Sequence, residues 1–288
     1  MLLVTGATGP LGGAIVRRLL QRVDPAEVAV LVRDPDKARP LAERGVNVRV
    51  GDYDDPAALD RAFIGVERVL LVASNDPDRR VQQHQNVIDA AVRADVGLLG
   101  FASRALRDIT ASRNTLMGDY FETEDRIKDS GLAYVLFRNA LYLDTVPLYV
   151  GGLAVFEHRI ALPAGDGKVA YALRRELGEA LANGVLDHEG PDRTHNVVAP
   201  SAAGFAEVAA ALTELSGREV TYRPTSDEDY VQRTVEQRGV PEHLARRLLG
   251  FFLDIRDGQL DETGTAFSSL LGREPASLQD GLRELFDL

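Results

Sequence analysis

The chain has 288 residues, 45% hydrophobic and 27% charged, with a formal net charge of −11 and no cysteine. That size suits one large α/β domain or a nucleotide domain with a smaller companion, in an ordinary soluble composition. Disulfides, thiolate catalysis and cysteine metal sites are excluded, nucleic acid is disfavoured by the acidic balance, and no apolar run approaches the ~20 residues of a membrane span.

Leu2, Leu3 and Val4 form a short apolar run that predicts a buried strand, with no basic stretch before it of the kind a signal peptide carries. Leu11 to Leu20 then places Leu11, Ile15, Val16, Leu19 and Leu20 at helical spacing. Between them runs Gly6, Ala7, Thr8, Gly9, Pro10, Leu11, with Gly12 one step on. Gly6 suits a tight turn, Gly9 a close approach of backbone to a pyrophosphate, and Gly12 close packing of helix on strand. The helix N-terminus would then present free N–H groups and the positive end of its dipole to phosphates.

Val28 to Val32 (VAVLV) reads as a second strand covered on both faces. The residue after it meets the adenosine ribose. An acid there accepts from the 2′-hydroxyl of NAD, whereas an arginine favours the 2′-phosphate of NADP. Arg33 offers a planar charged fork for phosphate oxygens, and Asp34 follows at once. NADPH is therefore the preferred cofactor, with NAD retained as the alternative.

Further strands are expected at Val46 to Val50, Val69 to Val72, Leu98 to Ala102 and Tyr134 to Phe137. Helices are expected between them at Pro56 to Phe63, Val81 to Ala94 and Tyr120 to Lys128. This rhythm predicts a Rossmann-type doubly wound parallel sheet, whose ligands bind past the carboxyl ends of the strands. Residues 1–145 would form that domain and residues 146–288 a smaller α/β substrate-side lobe. A helix is expected from Glu176 to Val185, ended by Asn183–Gly184, and a strand near 194–199 would return to the main sheet.

Short-chain reductases commonly pair a Tyr with a Lys four residues on, and no Tyr of this chain has one. Reducing a simple ketone yields a strongly basic alkoxide that needs such an acid. A quinone instead yields a phenolate, whose conjugate acid has a pKa of about 10, so several units at about 1.4 kcal/mol each need no donor. The missing pair favours a quinone-like acceptor, or no catalysis.

Ser103, closing the fifth strand, and Tyr120, on the following helix, are the candidate catalytic groups. Ser103 reads equally as a polar strand end, and Tyr120 as a half-buried aromatic on a helix face. Asp52, past the third strand, could accept from the adenine amino group, and also reads as a turn acid. Asn139 and Tyr142 would lie beneath the nicotinamide. The five histidines form no metal spacing, and His84 reads as a helix-surface or half-buried residue.

Taken together, TGATGPLG (5–12), LVRDPDKA (31–38), GVNVRVGDYDDPAAL (45–59), QHQNVIDAA (83–91), ETEDRIKDSGLAYVLFRNALY (122–142) and PAGDGKVA (163–170) resemble the NmrA-like atypical short-chain dehydrogenases. Within that group they are most similar to the bacterial NAD(P)H:quinone oxidoreductases. The resemblance implies that Gly6 to Leu11 hold the pyrophosphate and Arg33 the 2′-phosphate. It further implies that Ser74, Asn75 and Asp76 line the cofactor, and that Ala140 through Thr145, Tyr142 included, reach its nicotinamide end. Ala140, Leu141 and Thr145 depart from the family's usual glycine, aromatic and Asn, and Tyr120 stands where relatives often carry Lys or His. The resemblance thus implies a cytoplasmic NADPH-dependent quinone reductase with a small-molecule acceptor, a homodimer being left open. A non-catalytic NADP(H) redox sensor acting through a protein partner is the alternative.

Overall fold

A computed structural model describes residues 1–288 apart from the side chain of Arg238. Its main sheet comprises β1 (Leu2–Thr5), β2 (Val28–Val32), β3 (Asn47–Val50), β4 (Arg68–Val72), β5 (Leu98–Arg104), β6 (Tyr134–Asn139) and, after a two-residue strand β7 (Lys168–Val169), β8 (Arg193–Val197). All neighbours pair in parallel, in the order β3-β2-β1-β4-β5-β6-β8. β7 pairs antiparallel with β9 (Ala203–Gly204) in a separate small sheet. The order reverses between β1 and β4, so a ligand crevice opens past their carboxyl ends.

The helices are α1 (Pro10–Leu19), α2 (Arg39–Ala42), α3 (Pro56–Ala62), α4 (Arg80–Arg93), α5 (Gly118–Asp129), α6 (Val146–Val150), α7 (Arg174–Leu186), α8 (Phe205–Ser216), α9 (Asp227–Arg238), α10 (Glu242–Arg256), α11 (Ala266–Leu271) and α12 (Leu278–Phe286). Successive strand residues point to opposite faces, and both faces are covered. On one, Leu3, Leu31, Phe101 and Leu136 meet Leu59, Val87 and Ile127 of α3, α4 and α5. On the other, Val4, Val30 and Phe137 meet Ile15, Leu177, Leu181 and Phe267 of α1, α7 and α11. A further core of Phe205, Leu212, Phe252, Ile255 and Leu282 unites α8, α10 and α12 away from the sheet.

The helix expected to stop at Asn183–Gly184 runs through them, because tertiary contacts need both residues inside it. A Cβ at Gly184 would lie 2.5 Å from the Phe137 ring. Asn183 accepts from Arg18 Nε at 2.9 Å and donates to the Leu270 carbonyl at 2.7 Å. A Cβ at Gly178 would likewise collide with Ala14 of α1. The chain beyond residue 146 thus serves both halves of the molecule. α7, β8 and α11 complete the sheet layer, while α6, α8, α9, α10 and α12 contribute to the separate apolar core.

Candidate active site

The turn from β1 into α1 is shaped by its glycines. Gly6 sits at φ +59°, and its carbonyl accepts from Gly9 N–H at 3.0 Å. A Cβ at Gly12 would collide with the Gly6 carbonyl, so this third glycine lets α1 close on the turn itself rather than on the strand. No side chain caps α1, and Pro10 in its first turn has no N–H to lose. The uncapped donors of that turn make a cradle fit for a pyrophosphate.

Arg33 and Asp34 differ in their partners. Asp34 accepts from Asp36 N–H at 3.0 Å and lies 3.8 Å from Lys37 Nζ. Arg33 is exposed past β2 and carries no ion pair among the described residues. The arginine is the group free to meet a ribose phosphate. Asp52 accepts from Asp54 N–H of its own turn at 3.0 Å. Beside it the hydroxyl of the half-buried Tyr53 donates to the Val72 carbonyl at 2.9 Å, fixing the end of β4. Burial keeps that phenol neutral, well above its ordinary pKa.

Past β4, residues 74–76 are tied to α4. Ser74 N–H donates to His84 Nε2 at 3.0 Å, its hydroxyl to Gln83, and its carbonyl accepts from Arg80 Nε at 2.9 Å. Asp76 accepts from Arg79 Nε at 2.9 Å, while Asn75 is exposed. His84 lies in the core, 0% exposed, rather than on a helix surface. Thr123 donates its proton to the Asp119 carbonyl at 2.7 Å, so His84 Nδ1–H donates to Thr123 Oγ1 at 2.9 Å. One neutral tautomer is thereby fixed. Burial, helped by the Arg80 cation, lowers the imidazole pKa to about 3.

β5 and β6 run two residues further than the sequence suggests, which changes the role of Ser103. It lies inside the strand, 1% exposed, and donates to Glu124 Oε1 at 2.6 Å. Arg138, its register partner, grips both oxygens of Glu124 at 2.6 to 3.2 Å. Ser103 therefore does not reach a ligand. It closes a buried ion pair against α5, on the face away from the glycine turn.

The next pair in register, Arg104 and Asn139, points the other way. Asn139 is 0% exposed, and neither its Oδ1 nor its Nδ2 has a partner. A buried amide left so costs about 1–3 kcal/mol, which a polar ligand group would recover. The Arg104 guanidinium lies 4.5 Å from the Tyr142 ring centroid, and Arg174 stands equally close to that ring. Burial raises the Tyr142 phenol above its ordinary pKa, against the pull of Arg104. Tyr120 stands nearby, its ring 4.9 Å from Arg80 and 5.8 Å from Arg104. Thr145 donates back to the Tyr142 carbonyl at 2.6 Å, and Ala140 N–H pairs with the Val197 carbonyl at 3.0 Å. Ala140 and Thr145 thus hold the connection that presents Tyr142.

Gly6 to Leu11, Arg33, Asn139 and Tyr142 hence lie at the carboxyl ends of β1, β2 and β6, along one edge of the sheet. The sequence reading missed Arg104 and Arg174. A signal existed, since Arg104 directly follows the Ser103 that marked the strand end.

The NmrA-like family profile matches residues 1–274. The chain belongs to the NmrA-like family. It is 34% identical to quinone oxidoreductase 2 of Escherichia coli, over 100% of this chain and 99% of that protein. It is 30% identical to the NAD(P)H azoreductase of Xenophilus azovorans, over 85% and 84%. The crystal structure of the Escherichia coli NADPH-dependent quinone oxidoreductase complexed with NADPH superposes with a TM-score of 0.92, covering 99% of this chain and 100% of that one. No helix among the described residues is long and apolar enough to cross a membrane, and they contain no cluster suited to a metal ion.

Proposed function

We propose that the chain is a cytoplasmic NADPH-dependent reductase that passes hydride to a quinone or similar conjugated electrophile. Bound NADPH would supply two electrons as hydride. The chain's residues would orient it: the Gly6–Leu11 turn at the pyrophosphate, Arg33 at the 2′-phosphate, and Asn139 with Tyr142 at the nicotinamide. Residues 146–288 would shape the acceptor pocket through mostly apolar contacts. The observation that carries the cofactor choice is the contrast at the end of β2, where Asp34 is engaged and Arg33 is free. For the acceptor, the support is the lack of a Tyr–Lys acid pair in a cleft whose Tyr142 is kept protonated. Such a cleft suits a phenolate product and works by proximity and orientation.

Loss of reduced-nicotinamide absorbance with a panel of quinones tests this reading. Acceptor-dependent turnover is expected, with NADPH preferred over NADH. Arg33→Glu should weaken NADPH by at least about 10- to 100-fold, the worth of a charge-assisted contact, and leave NADH little changed. Equal loss for both cofactors would refute the 2′-phosphate role. Tight NADPH binding without turnover on any acceptor would instead make the chain a redox sensor.

A further inference from the structure

The cofactor reading uses the β1 turn, Arg33, Asn139 and Tyr142, and it leaves two charges beside Tyr142, Arg104 at the end of β5 and Arg174 at the start of α7, without a purpose. Arg104 and Arg174 flank the two-electron end of the cleft, each 4.5 Å from the Tyr142 ring centroid. Two other arginines that pack against this end of the sheet have carboxylates. Arg80 binds Asp119 at 3.0 Å and Arg138 binds Glu124 at 2.6 Å. Arg104 has none. The groups that weigh on it are the phenols of Tyr142, Tyr120 and Tyr149, Tyr120 also through a hydrogen bond, and its covered Nε has no partner. A guanidinium held against aromatic faces and denied a carboxylate is a standing demand for an anion. Its position at the carboxyl end of a central strand is where that anion would be a ligand.

We propose that Arg104 binds the acceptor oxygen on which negative charge develops, making it a catalytic residue, with Arg174 adding to the field and Tyr142 as the platform between them. The inference rests on the reductase reading above. The balance is simple: a quinone gains one hydride and becomes the hydroquinone monoanion, NADPH becomes NADP⁺, and a proton from water completes the hydroquinone. Arg104 would stabilise the monoanion's phenolate oxygen before that proton arrives. This explains how the cleft can dispense with an acid, since a fixed cation substitutes for proton donation. It also assigns a substrate preference. Acceptors whose reduced form is a phenolate, or that already carry an ionised oxygen beside the carbonyl, fit this end of the cleft.

The test uses Arg104→Gln and Arg104→Lys, with NADPH affinity and melting temperature measured for each. Arg104→Gln should lower kcat with a quinone by about 100-fold, the typical loss of one oxyanion donor, while NADPH binding stays unchanged. Arg104→Lys should recover part of the rate. A second readout needs no turnover: 4-nitrophenolate should bind the NADP⁺ complex of the wild type in mildly alkaline buffer, and this should be lost in Arg104→Gln. Wild-type kcat in a folded Arg104→Gln, or a loss confined to NADPH affinity, would overturn the proposal. If the wild type reduces no quinone, the reductase reading fails alone. The phenolate measurement then decides, Arg104-dependent binding supporting the anion site and absent binding sinking it.

Discussion

Ser103 and Arg104 are neighbours on β5, yet the two faces they point to treat charge in opposite ways. Behind Ser103, Glu124 is 1% exposed and takes bonds from a hydroxyl and a bidentate guanidinium. That centre is closed, its charges cancelled by groups of the chain itself. Beyond Arg104 and its partner Asn139, polar atoms are covered without partners, and two guanidinium groups share one aromatic ring. A closed centre holds α5 on the sheet. An open one stays unfinished until a ligand arrives, so the difference separates residues that build the cleft from residues that use it.

The largest expected effect comes from opening the closed centre. Glu124→Ala removes the carboxylate and leaves Arg138 and Ser103 facing a cavity. Breaking a buried pair from one side typically costs about 3–5 kcal/mol. Since Arg138 keeps 27% of its side chain in solvent, the lower end of that range is expected. Chemical denaturation of the variant measures it, and a loss below about 1 kcal/mol would mean that the pair is a surface contact in energetic terms.

The same contrast explains what the sequence allowed one to read. The parallel α/β fold was legible because β1 and β2 are continuous apolar runs and the glycine turn has a fixed local grammar. The position of Arg33 was legible for the same reason, since it sits one residue past a strand whose bounds are sharp. What escaped was set by sheet register and distant packing. Ser103 and Arg104 differ in role only because β5 extends to residue 104, which pairs it with Asn139. Asn183–Gly184 looks like a helix stop, and it is overridden because Arg18, Leu270 and Phe137 need that turn of α7 in place. His84 sits on a helix of polar composition, and nothing local announces that Thr123 and Ser74 close over it.

His84 gives the comparison a pH axis. It is a closed centre kept neutral by burial, with Ser74 N–H, Thr123, Tyr53, Phe101 and the Arg80 cation around it. Its folded pKa of about 3 lies below the unfolded value of 6.5. The unfolded state therefore binds the proton first, and the stability His84 contributes is fully present above pH 6.5 and falls as the pH drops toward about 3. Each pH unit in that window is worth up to about 1.4 kcal/mol, so about 3 kcal/mol should be lost by pH 4. Denaturation of the wild type and His84→Gln at several pH values isolates this contribution from that of the carboxylates. Parallel curves for the two proteins would show that the imidazole is already solvated.

The smallest effect on stability is expected where the functional effect is largest. Arg104→Gln removes a half-buried cation that no carboxylate of the chain satisfies, and it gives up its ring contacts with Tyr142 and Tyr120 and a hydrogen bond with Tyr120. Cation–π contacts are worth about 0.5–2 kcal/mol, and relieving the desolvation of a half-buried cation without a carboxylate offsets part of that. The net change should stay within about 1 kcal/mol in either direction, measured by denaturation of the cofactor-free protein. A loss as large as that of Glu124→Ala would place Arg104 among the groups that build the cleft, and the two faces of β5 would no longer differ in kind.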